Sequence, residues 1–363
     1  PANILFLIDS SASMNRRLSN RDAVFGVPNA IYDSNGDILA GQHRNLGLVK
    51  FDSAGTRNRE FNNNRARWTG ERTDNCEAGH TGTGGYTSLS RDTRVKGSGK
   101  LRLVENMSTN DGRISGENIV FFSTTSRPLN GNIMGISEDG IDCKFYLQPG
   151  IRTQAIDIVT IGGETFLFAV GRSGRNSAFV SYNLTSGDRS AIQNLGRGGG
   201  ANTLKRNIRN TWRIAVNSDA SILYGARFHL FGYALTKSGN TYQLSGSGST
   251  NAIRIYSASS GADVDTQLAP VLGFDISPDD DNIIYTSSNT RHVLQKLVLD
   301  GTASGYTIEA RAGTGSREMA MNTEDSGNLA ASSVRFNQPR GVHVTSTRIL
   351  VGSMSGTIDE FNE

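Results

Sequence analysis

Short apolar stretches alternate with tight polar turns along almost the whole chain. The first clear example covers residues 27–55, where the stretches AIYD, DILAG and LGLVKFD are separated by SNG and by a polar loop. Stretches of this length that are rich in β-branched and aromatic residues, and bounded by Gly, Asn, Asp and Ser, predict β-strands. The chain contains no convincing amphipathic-helix spacing, so the pattern predicts an all-β protein.

The same phrase recurs about five more times, which predicts a repeat architecture. Its further copies cover residues 117–140, 155–187, 211–228 together with 251–261, 273–301 and 340–361. Several copies are followed by another short strand, as at residues 144–148 and 306–313. Four strands repeated about six times predict a β-propeller of about six four-stranded blades. A single blade has two apolar faces, so it must stack on its neighbours.

The last repeat contains only three predicted strands, whereas a complete blade needs four. The apolar run ILFLI near the N-terminus predicts the missing outer strand. Residues 1–26 are then a strand and linker that close the ring within the molecule, or that pair with a neighbouring molecule to give a polymer. Residues 27–363 form the propeller, with polar insertions at about 57–112 and 229–250, where a partner or a neighbouring subunit is expected.

Composition narrows the function classes. The chain has 363 residues, a formal net charge of +3 and a pI near 8.9. Its basic residues are scattered rather than clustered, so nucleic-acid binding is not expected. No apolar run has the length of a transmembrane helix. Cys76 and Cys143 predict one disulfide or two buried thiols. A start at Pro1 predicts a removed leader, and hence an extracellular or cell-surface location.

The end of the chain resembles the NHL-repeat propellers. Residues 312–361 carry an AGTG opening, a loop, the stretch FNQPRGV and a further strand at 347–353. The first repeat matches through PNAIYDSNGDILAGQHRNLGLVKFDSAG, and the middle of the chain matches only in pattern. The resemblance implies a propeller fold. It does not choose a function, because NHL-like propellers include adhesion, scaffold, RNA-binding and enzymatic members.

A second resemblance lies at the N-terminus. ILFLIDSSASM, residues 4–14, is similar to the first strand and metal-binding loop of the von Willebrand factor A domains that accompany propellers in type IV pilus tip adhesins. The resemblance implies that Asp9, Ser11 and Ser13 bind Ca²⁺ or Mg²⁺, for which their oxygens are suitable ligands. That fold alternates strands with long helices, whereas residues 15–45 contain Pro28 and a DSNG turn. A propeller-closing strand explains the same residues more simply.

Loops that follow second strands carry the candidate binding residues. In propellers these loops gather at one end, around the central channel. Guanidinium groups there favour anionic ligands such as acidic glycans or carboxylate-bearing surfaces. The alternative is that they support the loops, as the Asn-x-Arg pattern of NHL repeats at Asn289-Thr290-Arg291 suggests. The predicted ligand-binding arginines are Arg44, Arg127, Arg172, Arg227 and Arg291.

The acidic and histidine-bearing loops offer metal sites as further alternatives. Asp279, Asp280 and Asp281 are expected to be turn formers first, with calcium binding as the alternative. His43, His229 and His292 follow predicted second strands, which suggests a metal-dependent NHL-like lyase or hydrolase.

No HExxH, GxSxG or Walker motif is present. The first hypothesis is therefore a non-enzymatic extracellular propeller without a cofactor. It would act as a binding or structural module that binds a glycan or protein surface, or that assembles into a homo-oligomer or surface filament.

Overall fold

The computed structural model describes residues 4–6, 29–41, 48–52, 57–58, 61, 100–123, 131–140, 143–196, 213–226, 230–245, 253–258, 271–300, 305–313, 336, 338–353 and 358–362. These residues contain β-strands and turns and no α-helix. Accordingly, a search of this part of the chain finds no helix with the length and apolar character needed to cross a membrane.

The described residues form 25 strands, numbered in chain order. They are β1 (Ile4–Phe6), β2 (Asn29–Tyr32), β3 (Ile38–Gly41), β4 (Leu48–Phe51), β5 (Arg57–Asn58), β6 (Arg102–Met107), β7 (Glu117–Ser123), β8 (Ile133–Ser137), β9 (Cys143–Leu147), β10 (Arg152–Ile161), β11 (Glu164–Ser173), β12 (Asn176–Asn183), β13 (Gln193–Gly196), β14 (Ile214–Val216), β15 (Ile222–Ala226), β16 (Leu230–Ser238), β17 (Thr241–Leu244), β18 (Ile253–Ala258), β19 (Val271–Ile276), β20 (Ile283–Ser288), β21 (Val293–Leu299), β22 (Gly305–Ala312), β23 (Pro339–Val344), β24 (Arg348–Ser353) and β25 (Ile358–Asn362).

These strands form six small antiparallel sheets of four strands, which are the blades of a β-propeller, so the predicted fold is confirmed. Blade 1 is β2–β5, blade 2 is β6–β9, blade 3 is β10–β13, blade 4 is β14–β16 with β18, blade 5 is β19–β22, and blade 6 is β23–β25 with β1. A short parallel pairing of β18 with β22 joins the outer edges of blades 4 and 5. The first strand of each blade lies innermost, beside the axis of the ring.

Alternating side chains explain why the blades stack. On β7, Phe121 packs towards blade 3, whereas its neighbours Val120 and Phe122 pack towards blade 1. Successive residues of a strand point to opposite faces of a sheet, so one apolar strand supplies two interfaces. Six clusters of buried apolar side chains result among the described residues, one at each junction between blades, including the junction of blade 6 with blade 1.

The N-terminal strand completes blade 6 within the same chain. β1 pairs antiparallel with β25, with Ile4 opposite Glu360 and Phe6 opposite Ile358. The three strands that end the chain therefore receive a fourth strand from its beginning, and β25 has no unpaired edge. Of the two pairings that the incomplete final repeat leaves open, this is the one within the molecule, and pairing with a neighbouring molecule stays a prediction.

A hairpin made of β16 and β17 extends from blade 4 over blade 3. The ring of Tyr242 on β17 packs edge-on against Phe166 and Phe168, with ring centroids 5.0 and 5.5 Å apart. The backbone N–H of Tyr242 donates to Ser181 Oγ at 3.0 Å, and Ser181 Oγ donates in turn to the carbonyl of Tyr242 at 2.7 Å. This part of the segment predicted as an insertion is thus a brace between two blades.

We predict that Tyr242→Ala destabilises the fold by about 3–5 kcal/mol, because it removes a large buried ring and leaves a cavity over blade 3. Tyr242→Phe keeps the ring and is the matched control. Chemical denaturation followed by fluorescence measures the difference. Equal midpoints for Tyr242→Ala and the unchanged protein would show that the hairpin does not brace blade 3.

Candidate functional site

Cationic residues lie at one end of the propeller in the part of the chain that the structure describes. In an antiparallel blade, the connection that leads into the inner strand lies at the same end as the connection between the second and third strands. Among the described residues of these connections there is no Asp or Glu, although cationic residues are present. The described cations in these connections are Lys100, Arg175, Arg213 and Arg291. Within two residues of the ends of these connections lie further cations and one acidic residue: Arg57, Arg102, Arg152, Arg172, Arg311, Arg340 and Asp359. We call this the basic end.

Two carboxylates are buried deeper along the axis, where they bind cations that reach in from the basic end. Asp157 on β10 and Asp275 on β19 are 0% and 1% exposed. Lys100 Nζ lies 2.7 Å from Asp275 Oδ1 and 3.2 Å from Asp157 Oδ1. Arg102 bridges the same pair, with Nε 2.5 Å from Asp157 Oδ1 and Nη2 2.8 Å from Asp275 Oδ1. Blades 2 and 5 are opposite each other, so these contacts cross the ring.

Backbone donors from further blades satisfy the remaining carboxylate oxygens. The N–H of Val216 in blade 4 donates to Asp157 Oδ2 at 2.7 Å. The N–H of Val344 in blade 6 donates to Asp275 Oδ2 at 3.2 Å. Burial alone would raise the pKa of Asp275, but the charges of Arg102 and Lys100 outweigh it and hold that pKa well below its ordinary value. Asp275 is therefore ionised, and the two carboxylates with their partners connect five of the six inner strands.

A second contact crosses the axis nearer to the basic end. Arg213 directly precedes β14 in blade 4 and is 1% exposed. Its Nη2 donates to Oδ1 of Asn29, the first residue of β2 in the opposite blade 1. Burial, and then the positive charge of Arg340 at the start of β23, lower the pKa of Arg213 to about 9. Three inner strands thus bring two guanidinium groups and an amide together at the axis.

His343 lies beside the buried carboxylates on the side of blade 6. Its Nδ1 is 3.6 Å from Asp275 Oδ2, and its ring faces Tyr32 with 6.2 Å between ring centroids. Burial lowers the pKa of His343 from its ordinary value in spite of Asp275. The histidine is therefore neutral at pH 7, and the axis owes its positive charge to Lys100 and the arginines.

The more exposed arginines form a rim around this axial cluster. Arg152 and Arg172 lie opposite each other on β10 and β11. Gly171 makes this pairing possible, because a Cβ at that position would lie 2.1 Å from the carbonyl oxygen of Arg152. Arg175 is in the turn that follows β11, and Arg291 is in the corresponding turn of blade 5. Like charges are thus held side by side at the surface of the basic end.

Two of the five sequence-predicted arginines are described, and both lie at the basic end. They are Arg172 and Arg291, whereas Arg44, Arg127 and Arg227 lie outside the described residues. A role in ligand binding stays a prediction for all five. Cys76, one half of the predicted disulfide, also lies outside them, so the state of Cys143 stays open.

Only some of the predicted metal ligands lie among the residues that the structure describes. Asp9, Ser11 and Ser13 lie outside the described residues, as do His43 and His229. His292 is buried, and its Nδ1 accepts a hydrogen bond from the N–H of Gln338 at 3.3 Å, which commits that nitrogen to the loop. In the part of the chain that the structure describes, no group of three or more His, Cys, Asp or Glu residues is arranged to hold a metal ion.

The acidic turns at the opposite end have a structural use. Asp280 Oδ1 accepts the N–H of Asn282 at 2.8 Å, as expected of a turn former. Asp281 Oδ1 accepts the N–H of Ser218 from blade 4 at 2.9 Å, and Asp279 Oδ1 accepts the hydroxyl of Ser346 from blade 6 at 3.0 Å. These carboxylates close turns and connect adjacent blades.

Sequence reasoning missed the axial residues. Asp157 and Asp275 stand in AIDIV and GFDIS, which read as apolar inner strands. An Asp flanked by apolar residues in a strand that must lie innermost is a usable signal, because a buried charge needs a partner. Arg213 likewise sits at the start of its strand, in TWRIAV. Lys100 is 175 residues from Asp275, Asn29 is 184 residues from Arg213 and Arg102 is 55 residues from Asp157, so no local pattern indicates these contacts.

Comparison with known proteins supports the propeller architecture but does not identify a family for this chain. No protein-family model and no curated protein matches the chain. An auxiliary nutrient binding protein from Bacteroides ovatus is 11% identical, with a TM-score of 0.51 over 95% of this chain and 74% of that one. Its counterpart from Bacteroides thetaiotaomicron is also 11% identical, with a TM-score of 0.50 over 93% and 69%. The virginiamycin B lyase from Staphylococcus aureus reaches 10% identity and a TM-score of 0.43 over 94% and 96%. At these identities the likeness concerns the fold alone, and NHL membership stays a prediction.

We predict that Asp275→Asn costs about 3–5 kcal/mol of folding stability at pH 7, because it leaves Lys100 and Arg102 buried with half of their counter-charge. Glu309→Gln is the matched control: it removes a carboxylate from an exposed pair with Lys296, where a loss of at most about 1 kcal/mol is expected. Chemical denaturation of the two variants and the unchanged protein measures both losses of stability. Equal losses would mean that the axial network is not a major source of stability.

The same carboxylate predicts an acid dependence of stability. The folded-state pKa of Asp275 is depressed, so its contribution is fully present above the unfolded value of about 3.9 and is lost as the pH falls towards the folded value. Between pH 4 and pH 2 the unchanged protein should therefore lose more stability than Asp275→Asn. Parallel curves for the two proteins over that interval would contradict the prediction.

Proposed function

We propose that the protein is a non-enzymatic binding module that recognises an acidic glycan through the basic end of its propeller. The observation that carries the proposal is the separation of charge. Cations occur in the connections of that end among the described residues, and acidic residues occur in the turns of the opposite end. The net charge of the whole chain is only +3, so the composition does not reveal this separation among the described residues.

The choice of ligand follows from the type and arrangement of the cations. Arg outnumbers Lys roughly fourfold in this chain, and its planar fork matches the oxygens of carboxylate and sulfate groups. The arginines of the rim belong to two blades and do not converge on a single position; they are Arg152, Arg172, Arg175 and Arg291. An extended polymer with repeated negative charges can contact several of them at once. A glycan that carries carboxylate or sulfate groups has this form.

An extracellular location is part of the proposal, since glycans of this class occur mainly outside cells. The nutrient-binding neighbours are compatible with a binding role for a propeller of this shape, but their likeness is one of fold, and the proposal rests on the charges of this chain.

We predict that the protein is retained on a sulfated-glycan column such as heparin and on a carboxylated one such as polygalacturonate. Arg152→Gln combined with Arg172→Gln should elute at distinctly lower salt, because two charges of the rim are lost and exposed charges dominate such binding. Lys144→Gln combined with Lys237→Gln is the matched control, since it removes the same net charge from the other end of the molecule.

The outcomes separate specific binding from non-specific attraction. Lower elution salt for the arginine pair alone supports the proposal. An equal decrease for both pairs would show that net charge is sufficient, and absence of retention for the unchanged protein would remove the glycan altogether.

Self-assembly through the N-terminal strand is the second proposal, carried over from the incomplete last repeat. Its support is that β1 is a short strand, separated from β2 by residues 7–28, so that an exchange of β1 between molecules would keep the pairing with β25 that the single chain makes. We predict that the protein forms oligomers whose size falls when residues 1–6 are removed. Light scattering of the purified protein measures this, and a monomer at every concentration would exclude the filament.

A further inference from the structure

The contact between Arg213 and Asn29 leaves a buried donor at the axis. Both side chains are almost fully buried, at 1% and 4% exposed. A guanidinium group only donates hydrogen bonds, so the amide atom that faces Arg213 must be the carbonyl oxygen of Asn29. The amide nitrogen Nδ2, attached to the same carbon, is buried and has no hydrogen-bond partner. Such a donor costs about 1–3 kcal/mol when it stays unsatisfied.

The charges around this donor favour an anion. Four described cations reach the axis, namely Lys100, Arg102, Arg213 and Arg340, and the two buried carboxylates are engaged by the first two of them. The lowered pKa of Arg213 means that its surroundings as a whole disfavour its positive charge, through burial and through Arg340. An anion beside Arg213 would oppose both effects, because it stabilises the charged form of the guanidinium group. The same anion would accept a hydrogen bond from Asn29.

The number and directions of the donors indicate the shape of the ligand. Arg213 enters from blade 4, Asn29 from blade 1 and Arg340 from blade 6, so donors converge from three inner strands. A second buried donor without a partner, the hydroxyl of Ser353, lies at the same end on β24, opposite Pro339. A carboxylate offers two oxygens in one plane. A tetrahedral oxyanion offers oxygens in several directions, and therefore fits donors that converge from three sides.

We propose that Arg213, Asn29 and Arg340 form an axial site for one tetrahedral oxyanion of the phosphate or sulfate class. The site is separate from the arginine rim. It holds a single desolvated group between inner strands, whereas the rim holds a polymer at the surface. The ligand is either the free ion or the end group of a monoester, and both present the same oxygens.

The test is thermal unfolding at pH 7 and constant ionic strength, with chloride replaced stepwise by inorganic phosphate or sulfate. We expect a saturable rise of the midpoint, about 2 °C at ten times the dissociation constant, since a ligand that binds only the folded state stabilises it. Glucose 6-phosphate in a parallel series distinguishes an ester from the free ion. A rise with either form supports the site, and it identifies which form enters.

Asn29→Asp is the decisive variant, because it places a fixed carboxylate beside Arg213 and removes the amide donor without a change of size. It should be at least as stable as the unchanged protein in chloride, and it should lose the response to phosphate. Asn194→Asp, at the exposed position of the outer strand β13, adds the same charge elsewhere and should keep the response. No saturable rise in the unchanged protein, or an equal rise in both variants, would overturn the proposal.

The glycan proposal can fail or succeed independently. Arg152→Gln combined with Arg172→Gln should keep the phosphate response even if it loses retention on the glycan column.

Discussion

The ion network of Asp157, Asp275, Lys100 and Arg102 is the constraint on which the centre of the ring depends. A buried carboxylate is tolerated only if cations and hydrogen-bond donors surround it, and here they come from several blades. Apolar contacts between blades hold only neighbours together. The network instead links blade 2 to blade 5 across the axis, so it specifies how the inner strands are positioned relative to one another.

The stacking of apolar faces and the ionic centre are complementary. Each blade buries both faces, and the last of the six described clusters joins Ala40 and Phe51 of blade 1 to Leu350 of blade 6. In a row of such blades, the first and last would each leave one apolar face exposed, so the row is complete only when these two faces pack together. The pairing of β1 with β25 contributes to this closure on the outside, while Arg213 and Asn29 connect opposite blades on the inside.

Many strands of the blades could be predicted from the sequence, because the strands of one blade are mostly consecutive in the chain. The strands at 144–148, 251–261 and 306–313 were recognised from apolar runs and their turns, and β9, β18 and β22 lie there. The ionic centre was not predicted, since Lys100 and Asp275 become neighbours only when the ring closes. Arg172 is predicted from its loop and lies at the basic end, whereas its neighbour Arg152 precedes the predicted repeat at 155–187 and has no such signal.

The two ends of the propeller use their charges differently, and this difference is the reason to look for a ligand at one of them. At the acidic end, Glu138 accepts two hydrogen bonds from Ser34 of the adjacent blade, and Asp281 accepts the N–H and hydroxyl of Ser218. Those carboxylates already accept hydrogen bonds that stabilise the fold. At the basic end the rim holds Arg152 opposite Arg172, so that two like charges lie side by side. An anionic ligand between them would lower their mutual repulsion, and this is the physical basis of the binding proposal.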